Sequence, residues 1–195
     1  GLDDEKIRYM RNRAFALVRE LVVQPENLLP ALKWLEQVIK TLDSSQPSQS
    51  NLASAHFSPG EGCRRKILDL CQQARHSVHI CVFTISDDRL SRAVLECHQR
   101  GLDVRVITDN EKQHDLGSDI EWLREQGVPL RIDKGPYHMH HKFALFDGQI
   151  LLNGSFNWTR SASDYNEENL LVTDQVQLVA DYRREFEKLW QRYAV

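Results

Sequence analysis

Two neighbouring stretches hold the residue types that could do chemistry. His138-Met139-His140-His141-Lys142 places three imidazoles and a fixed cation together, and Asp147 follows after four intervening residues. A short gap later comes Gly154-Ser155-Phe156-Asn157-Trp158. An imidazole beside an ammonium suits an anionic phosphoryl group. The ring offers a lone pair for attack, and the ammonium steadies the non-bridging oxygens. Ser155 and Asn157 add a hydroxyl and an amide, and Gly154 lets a backbone approach closely. His138 lines the same groove as a substrate contact. Trp158 could stack on a base, although packing beneath the site is the plainer role for that ring.

His138 and His140 could instead ligate zinc from one face of a strand. No cysteine lies near them, and Lys142 would repel a cation, so neither a metal nor another cofactor is expected.

These residues need a rigid platform. Phe143 to Phe146 is apolar, Asp147-Gly148 is a tight-turn pair, and Ile150 to Leu152 is apolar again, which predicts a β-hairpin. Alternate residues of a strand share a face, so His140 and Lys142 project together while His141 points away.

The combined pattern, His-x-Lys-x4-Asp with a downstream Gly-Ser-x-Asn, resembles the signature of the phospholipase D superfamily. The resemblance runs from about His56 to Tyr193. It is similar above all to short members with one motif per chain: the small bacterial endonuclease, and the Zucchini or mitochondrial cardiolipin hydrolase group. It implies a metal-independent phosphodiesterase in which His140 forms a covalent phosphohistidine. Lys142 and Asn157 would hold the phosphoryl oxygens. Ser155 would hold an oxygen or a neighbouring side chain. Asn166-Glu167-Glu168-Asn169 matches a downstream stretch of the short members, so Glu168 would orient His140. Asp147 counts with the catalytic set as part of the signature, yet its place at the turn argues for an anchoring role. A single motif implies a homodimer that brings together two copies of His140, Lys142, Asn157 and Glu168, one imidazole attacking while its mate acts as acid. The implied substrate is DNA or RNA. The alternatives are a phospholipid such as cardiolipin, or a catalytically inactive module that grips nucleic acid. Some relatives carry a zinc-binding insertion that has no counterpart here.

Composition bounds these readings. The 195 residues carry a net charge of −3, with 41% hydrophobic and 27% charged residues, as in an ordinary globular protein. A nucleic-acid site must then be a local basic patch, with Arg160, Lys134, Arg131 and Lys112 as rim candidates. Cys63, Cys71, Cys81 and Cys97 form no C-x2-C pair and read as buried thiols, which suits the cytoplasm or another reducing compartment. No run is long and apolar enough for a bilayer, so a membrane partner is not indicated. The start at Gly1 without Met suggests a trimmed or tagged chain, which leaves room for an upstream anchor or domain.

Three segments are expected. Residues 1–42 read as a helical hairpin, with Ile7, Met10, Ala14, Leu17, Val18 and Leu21 on one helix and Leu32, Leu35, Val38, Ile39 and Leu42 on the next. It is expected to pack on the domain or widen the dimer interface. Residues 43–52 form a polar linker. Residues 53–195 alternate strands and helices: strands near Ala53–Phe57, Ser77–Ile85, Val104–Thr108, Val128–Ile132 and Asn169–Thr173, and helices over Glu61–Arg75, Asp87–Arg100, Ser118–Gln126 and Val176–Tyr193. With the hairpin, this predicts an α/β/α sandwich on a mixed sheet.

Overall fold

The computed structural model describes residues 4–45, 52–111 and 118–194. Packing divides the chain into two units, Gly1–Gln49 and Ser50–Val195.

The first unit is a pair of helices, α1 (Asp4–Leu21) and α2 (Leu28–Ser45), joined by a 3-10 turn at Pro25–Asn27. Pro30 sits in the first turn of α2, where its missing N–H costs nothing. Ile7, Ala14, Val18, Ala31 and Leu42 are buried, whereas Met10, Leu21 and Leu32 are exposed. The expected stripe was therefore wider than the seam that the two helices bury against each other. Arg11 pairs with Asp43 at 3.3 Å across the hairpin.

The second unit is built on a seven-stranded mixed sheet in the order β1-β7-β6-β5-β2-β3-β4. The strands are β1 (Ala53–Phe57), β2 (Ser77–Val82), β3 (Asp103–Thr108), β4 (Leu130–Ile132), β5 (Lys142–Phe146), β6 (Ile150–Gly154) and β7 (Asn169–Thr173). Parallel pairing joins β2 to β3 and β3 to β4, and the other pairs are antiparallel. The helices are α3 (Gly62–Gln73), α4 (Asp88–Gln99), α5 (Ile120–Glu125), α6 (Arg160–Asp164) and α7 (Val176–Arg192).

Strand parity sorts the side chains into two cores. Val78, Ile80, Val82, Val104, Val106, Ala144 and Phe146 face the core that holds Ile67, Leu90 and Val94 of α3 and α4. Cys81, Ile107, Phe143 and Leu145 face Val179, Phe186 and Leu189 of α7. Helices thus cover both faces, as an α/β/α sandwich requires. All four cysteines are buried with free thiols. His79 is a satisfied core histidine, stacked on Phe186 at 5.0 Å and bonded to Asp103 at 3.0 Å.

Most expected elements appear with shifted ends. The strand predicted to reach Ile85 stops at Val82, and Ile85 makes only an isolated bridge to Trp158. The short α6 was not expected. It begins where Thr159 accepts from the Ala162 N–H. Asp87 caps α4 by accepting from the Arg89 N–H at 3.0 Å. The middle of the polar linker, along with Lys112 and His114, lies outside the described residues.

Arg64 is the largest departure from pattern. It is 2% exposed within α3. Its guanidinium meets Asp87 at 3.2 Å, Asp164 at 3.4 Å, and also Glu61. This network ties α3, the start of α4 and α6 together beneath the loop that follows β6.

Candidate active site

Sheet register decides where the candidate residues meet. Val82 pairs with Lys142, Phe143 with Asn153 and Gly154 with Leu170. The carboxyl ends of β2, β3 and β6 and the amino ends of β5 and β7 therefore lie along one rim of the sheet. His138 to Lys142, Gly154 to Trp158 and Glu168 all lie at that rim. Crevices at the carboxyl ends of parallel strands are usual ligand sites in such sheets.

His140 and Lys142 form the centre. Lys142 Nζ donates to the His140 carbonyl at 2.8 Å and stands 3.2 Å from the ring Nδ1. An ammonium only donates, so Nδ1 accepts here and a neutral ring carries its proton on Nε2. The His140 pKa is lowered, first by burial and then by the charge of Lys142 and by His138. Burial also lowers the Lys142 pKa, against the opposing pull of Glu168 and Asp109. Both shifts are those of groups drawn partly out of water.

Phe83, just beyond β2, joins these groups. Its ring lies 4.6 Å from that of His140 and 5.4 Å from that of His138, with Lys142 Nζ 5.3 Å from its centroid. The Phe83 carbonyl accepts from Thr108 Oγ1 at 3.1 Å, which ties it to the end of β3. Nothing in an apolar run marked Phe83 out. Asp109 was also missed, although its place directly after a predicted buried strand was a usable signal. It is fully buried and accepts from the Met139 N–H at 2.9 Å.

The loop after β6 supplies the second group of candidates. Ser86 and Asp87 donate their N–H groups to the Trp158 carbonyl at 2.9 and 3.2 Å, fixing this loop to the start of α4. Asn157 Oδ1 is buried without a hydrogen-bond partner among the described residues. Ser155 Oγ accepts from the Asn169 N–H at 3.1 Å and stands 3.3 Å from Asn169 Nδ2. Its bonds therefore close the gap between β6 and β7. Gly154 serves the same junction, since a Cβ there would lie 2.0 Å from the Asn169 carbonyl oxygen. The backbone that approaches closely is that of the neighbouring strand.

Three further candidates take definite places. Trp158 is fully buried, so its ring packs under the site and presents no face to a substrate. Asp147 lies just past the other end of β5, five residues or about 17 Å of extended chain from Lys142. There its carboxylate accepts from the Arg75, His76 and Ser77 N–H groups at 2.7–3.1 Å, so it anchors the hairpin and stands outside the reacting cluster. Glu168 lies at the rim, but it accepts from Asn166 Nδ2 at 3.3 Å, while Lys142 faces the His140 Nδ1.

His138 is half exposed, 3.4 Å from Asp109 and 3.8 Å from Glu111. His141 is exposed and touches the Phe143 ring edge at 5.8 Å, on the opposite face as strand parity required. Of the rim cations, Arg160 pairs with Asp88 at 2.7 Å and Arg131 stacks 4.2 Å over Trp190, while Lys134 is exposed.

Comparison with known proteins agrees with this architecture. Residues 67–190 match the family described as cardiolipin synthase, PLD-like domain. A mitochondrial cardiolipin hydrolase of Chlamydomonas reinhardtii is 40% identical over 195 residues, covering 91% of this chain and 85% of that protein. The protein of the same name from Xenopus tropicalis is 49% identical over 128 residues, 66% of this chain and 61% of the frog protein. Among solved structures, NucT from Helicobacter pylori superposes with a TM-score of 0.64 at 27% identity, over 72% of this chain and 96% of that one. Motif, sheet and relatives converge, and the chain belongs to the phospholipase D superfamily of phosphodiesterases and hydrolases.

Proposed function

We propose that this chain hydrolyses phosphodiester bonds through His140 without a metal ion, as a homodimer, with a nucleic-acid strand as substrate. One observation carries the reading: Lys142 Nζ lies 3.2 Å from Nδ1 of His140 at the carboxyl rim of the sheet. A lysine in that position repels a cation and attracts a phosphate.

An entering phosphodiester draws Lys142 onto its non-bridging oxygens and frees the ring. The imidazole then attacks phosphorus as the ester oxygen departs with a proton from a second imidazole. Water next breaks the phosphorus–nitrogen bond. A carboxylate accepting from Nδ1 would leave Nε2 free for attack, and pairing two rims across a two-fold supplies both that acceptor and the second imidazole. Retention of His140, Lys142, Ser155, Asn157 and Glu168 speaks against an inactive binding module.

Exposed aromatics support a nucleic-acid substrate. Tyr137, 86% exposed, directly precedes His138, and Tyr165, 80% exposed, precedes the Asn166–Asn169 stretch. Rings beside a phosphate clamp suit unpaired bases. The resemblance to small single-motif endonucleases points the same way. A second reading, hydrolysis of a phospholipid such as cardiolipin, is favoured by the names of the algal and frog relatives. Those names also support association with mitochondria.

The test offers fluorescent single-stranded oligonucleotides and, separately, cardiolipin vesicles, both in EDTA. We expect oligonucleotide cleavage that His140→Ala lowers by more than about a thousandfold. Cleavage of cardiolipin alone transfers the assignment to the lipid reading. Turnover abolished by EDTA and restored by a divalent metal overturns the metal-free mechanism.

A further inference from the structure

We infer that Asp109 is a positioning residue for the nucleophilic imidazole, fixing through Met139 and His138 the segment from which His140 projects. The inference rests on His140 being the nucleophile, and Asp109 lies outside the superfamily signature.

Asp109 stands directly beyond β3 and is 0% exposed. A buried carboxylate persists only where donors replace its water. Here one oxygen accepts from the Glu111 N–H at 2.9 Å. The other accepts from the Met139 N–H at 2.9 Å and lies 3.4 Å from His138 Nδ1. The bond to Met139 and the close approach of His138 hold the two residues immediately before His140. One strand over, the buried Asp133 accepts from the Asn110 N–H at 2.9 Å and the Gly135 N–H at 3.3 Å. Met139 is gripped from below, its sulfur 3.3 Å from the Cys81 thiol, which donates to it. The stretch 133–141 contains no regular secondary structure, so these anchors replace the ladder that would otherwise fix it. Contact then passes through rings: His138 meets Phe83 edge-on, and Phe83 packs against His140.

Charge supplies a readout that a scaffold alone would not. The groups acting on His140 are Lys142 on β5, His138 and His141 in its own segment, and Asp109. Glu111 reaches His138, and Glu168 reaches Lys142. Lys142, His138 and His141 lower the His140 pKa, while Asp109 raises it. Removing the Asp109 charge lowers that pKa further, and removing the His138 ring raises it. The two substitutions should therefore move the acid limb of kcat/KM in opposite directions. Asp109 also raises the Lys142 pKa, so a basic limb set by Lys142 falls along with the acid limb when Asp109 is neutralised.

The experiment measures kcat, KM and pH profiles for the full chain, Asp109→Asn and His138→Gln, on whichever phosphodiester the wild-type chain cleaves, with circular dichroism to establish folding. Folded Asp109→Asn should lose at least tenfold in kcat with KM within threefold, and its acid limb should move to lower pH. His138→Gln should move the limb to higher pH, and that variant decides the matter if Asp109→Asn does not fold. Unmoved limbs in the folded variants, or losses that merely track the folded fraction, overturn the positioning role. If His140→Ala retains wild-type turnover, the assignment of the nucleophile falls instead, which is a separate result.

Discussion

At the scale of single residues, the site depends on keeping an imidazole neutral next to a cation. His140 loses hydration to Phe83 and its surroundings, and the ammonium of Lys142 further disfavours the imidazolium. Its pKa therefore lies below the ordinary 6.5. A nucleophile must be deprotonated, so activity should rise with pH through an acid limb lying below that value. A pH profile of kcat/KM checks this, and a limb above 6.5 contradicts the electrostatics described here. Lys142→Met removes both the clamp on phosphate and the charge that depresses the histidine. It should cost at least about a hundredfold in kcat/KM while moving the limb upward, whereas a substitution affecting only substrate grip leaves the limb in place.

At the scale of elements, the β5–β6 hairpin separates two functions that lie close in sequence. Lys142 opens β5 at the active rim. Asp147 closes it at the far end, in the left-handed region with φ 55°, followed by Gly148 at φ 62°. Those two positive values suit the tight turn that the Gln149 N–H closes on the Phe146 carbonyl at 3.0 Å, with a twist that matches the strands. Burial raises the Asp147 pKa, yet the N–H groups of Ser77, His76 and Arg75 outweigh it and leave the carboxylate below its ordinary value. A carboxylate with a depressed folded pKa contributes stability that is present above its unfolded pKa and lost as pH falls through the folded one. Asp147→Asn should therefore cost about 1–3 kcal/mol at neutral pH and flatten the acid side of the stability curve, with kcat unchanged in the folded fraction. Urea titrations at several pH values measure the first two, and a large loss of kcat would return Asp147 to the catalytic set. The β6–β7 junction is equally demanding. Gly154→Ala drives a Cβ into the Asn169 carbonyl oxygen and should destabilise by about 3 kcal/mol, read as a lower urea midpoint.

At the scale of the whole molecule, a single-motif chain with one reacting histidine is expected to act in pairs. Sedimentation should give twice the chain mass, and mixing active chains with excess His140→Ala chains should suppress turnover beyond simple dilution. A strictly monomeric, fully active chain would contradict the composite site. Among the described residues no helix is long and apolar enough to cross a membrane.

Local pattern alone determined a good deal about this protein. The His140–Lys142 pair, the Asp147-Gly148 turn and the period-two faces of β5 depend only on residue type and spacing, and those signals survive without knowledge of distant contacts. The sandwich was legible for the same reason, since alternating apolar runs and helical stripes fix the layers. Other features required the tertiary structure. Phe83 meets His138, Asp109 meets Met139 and Arg64 meets Asp87 across 55, 30 and 23 residues, and nothing in their immediate neighbourhood encodes those contacts. Trp158 and Asp147 each had two readings from residue type and spacing, and the pleat and register of the sheet decided between them, setting one beneath the site and the other at the opposite end of β5. Strand order is a global property of the packed chain, so it alone decided which side chains share a rim.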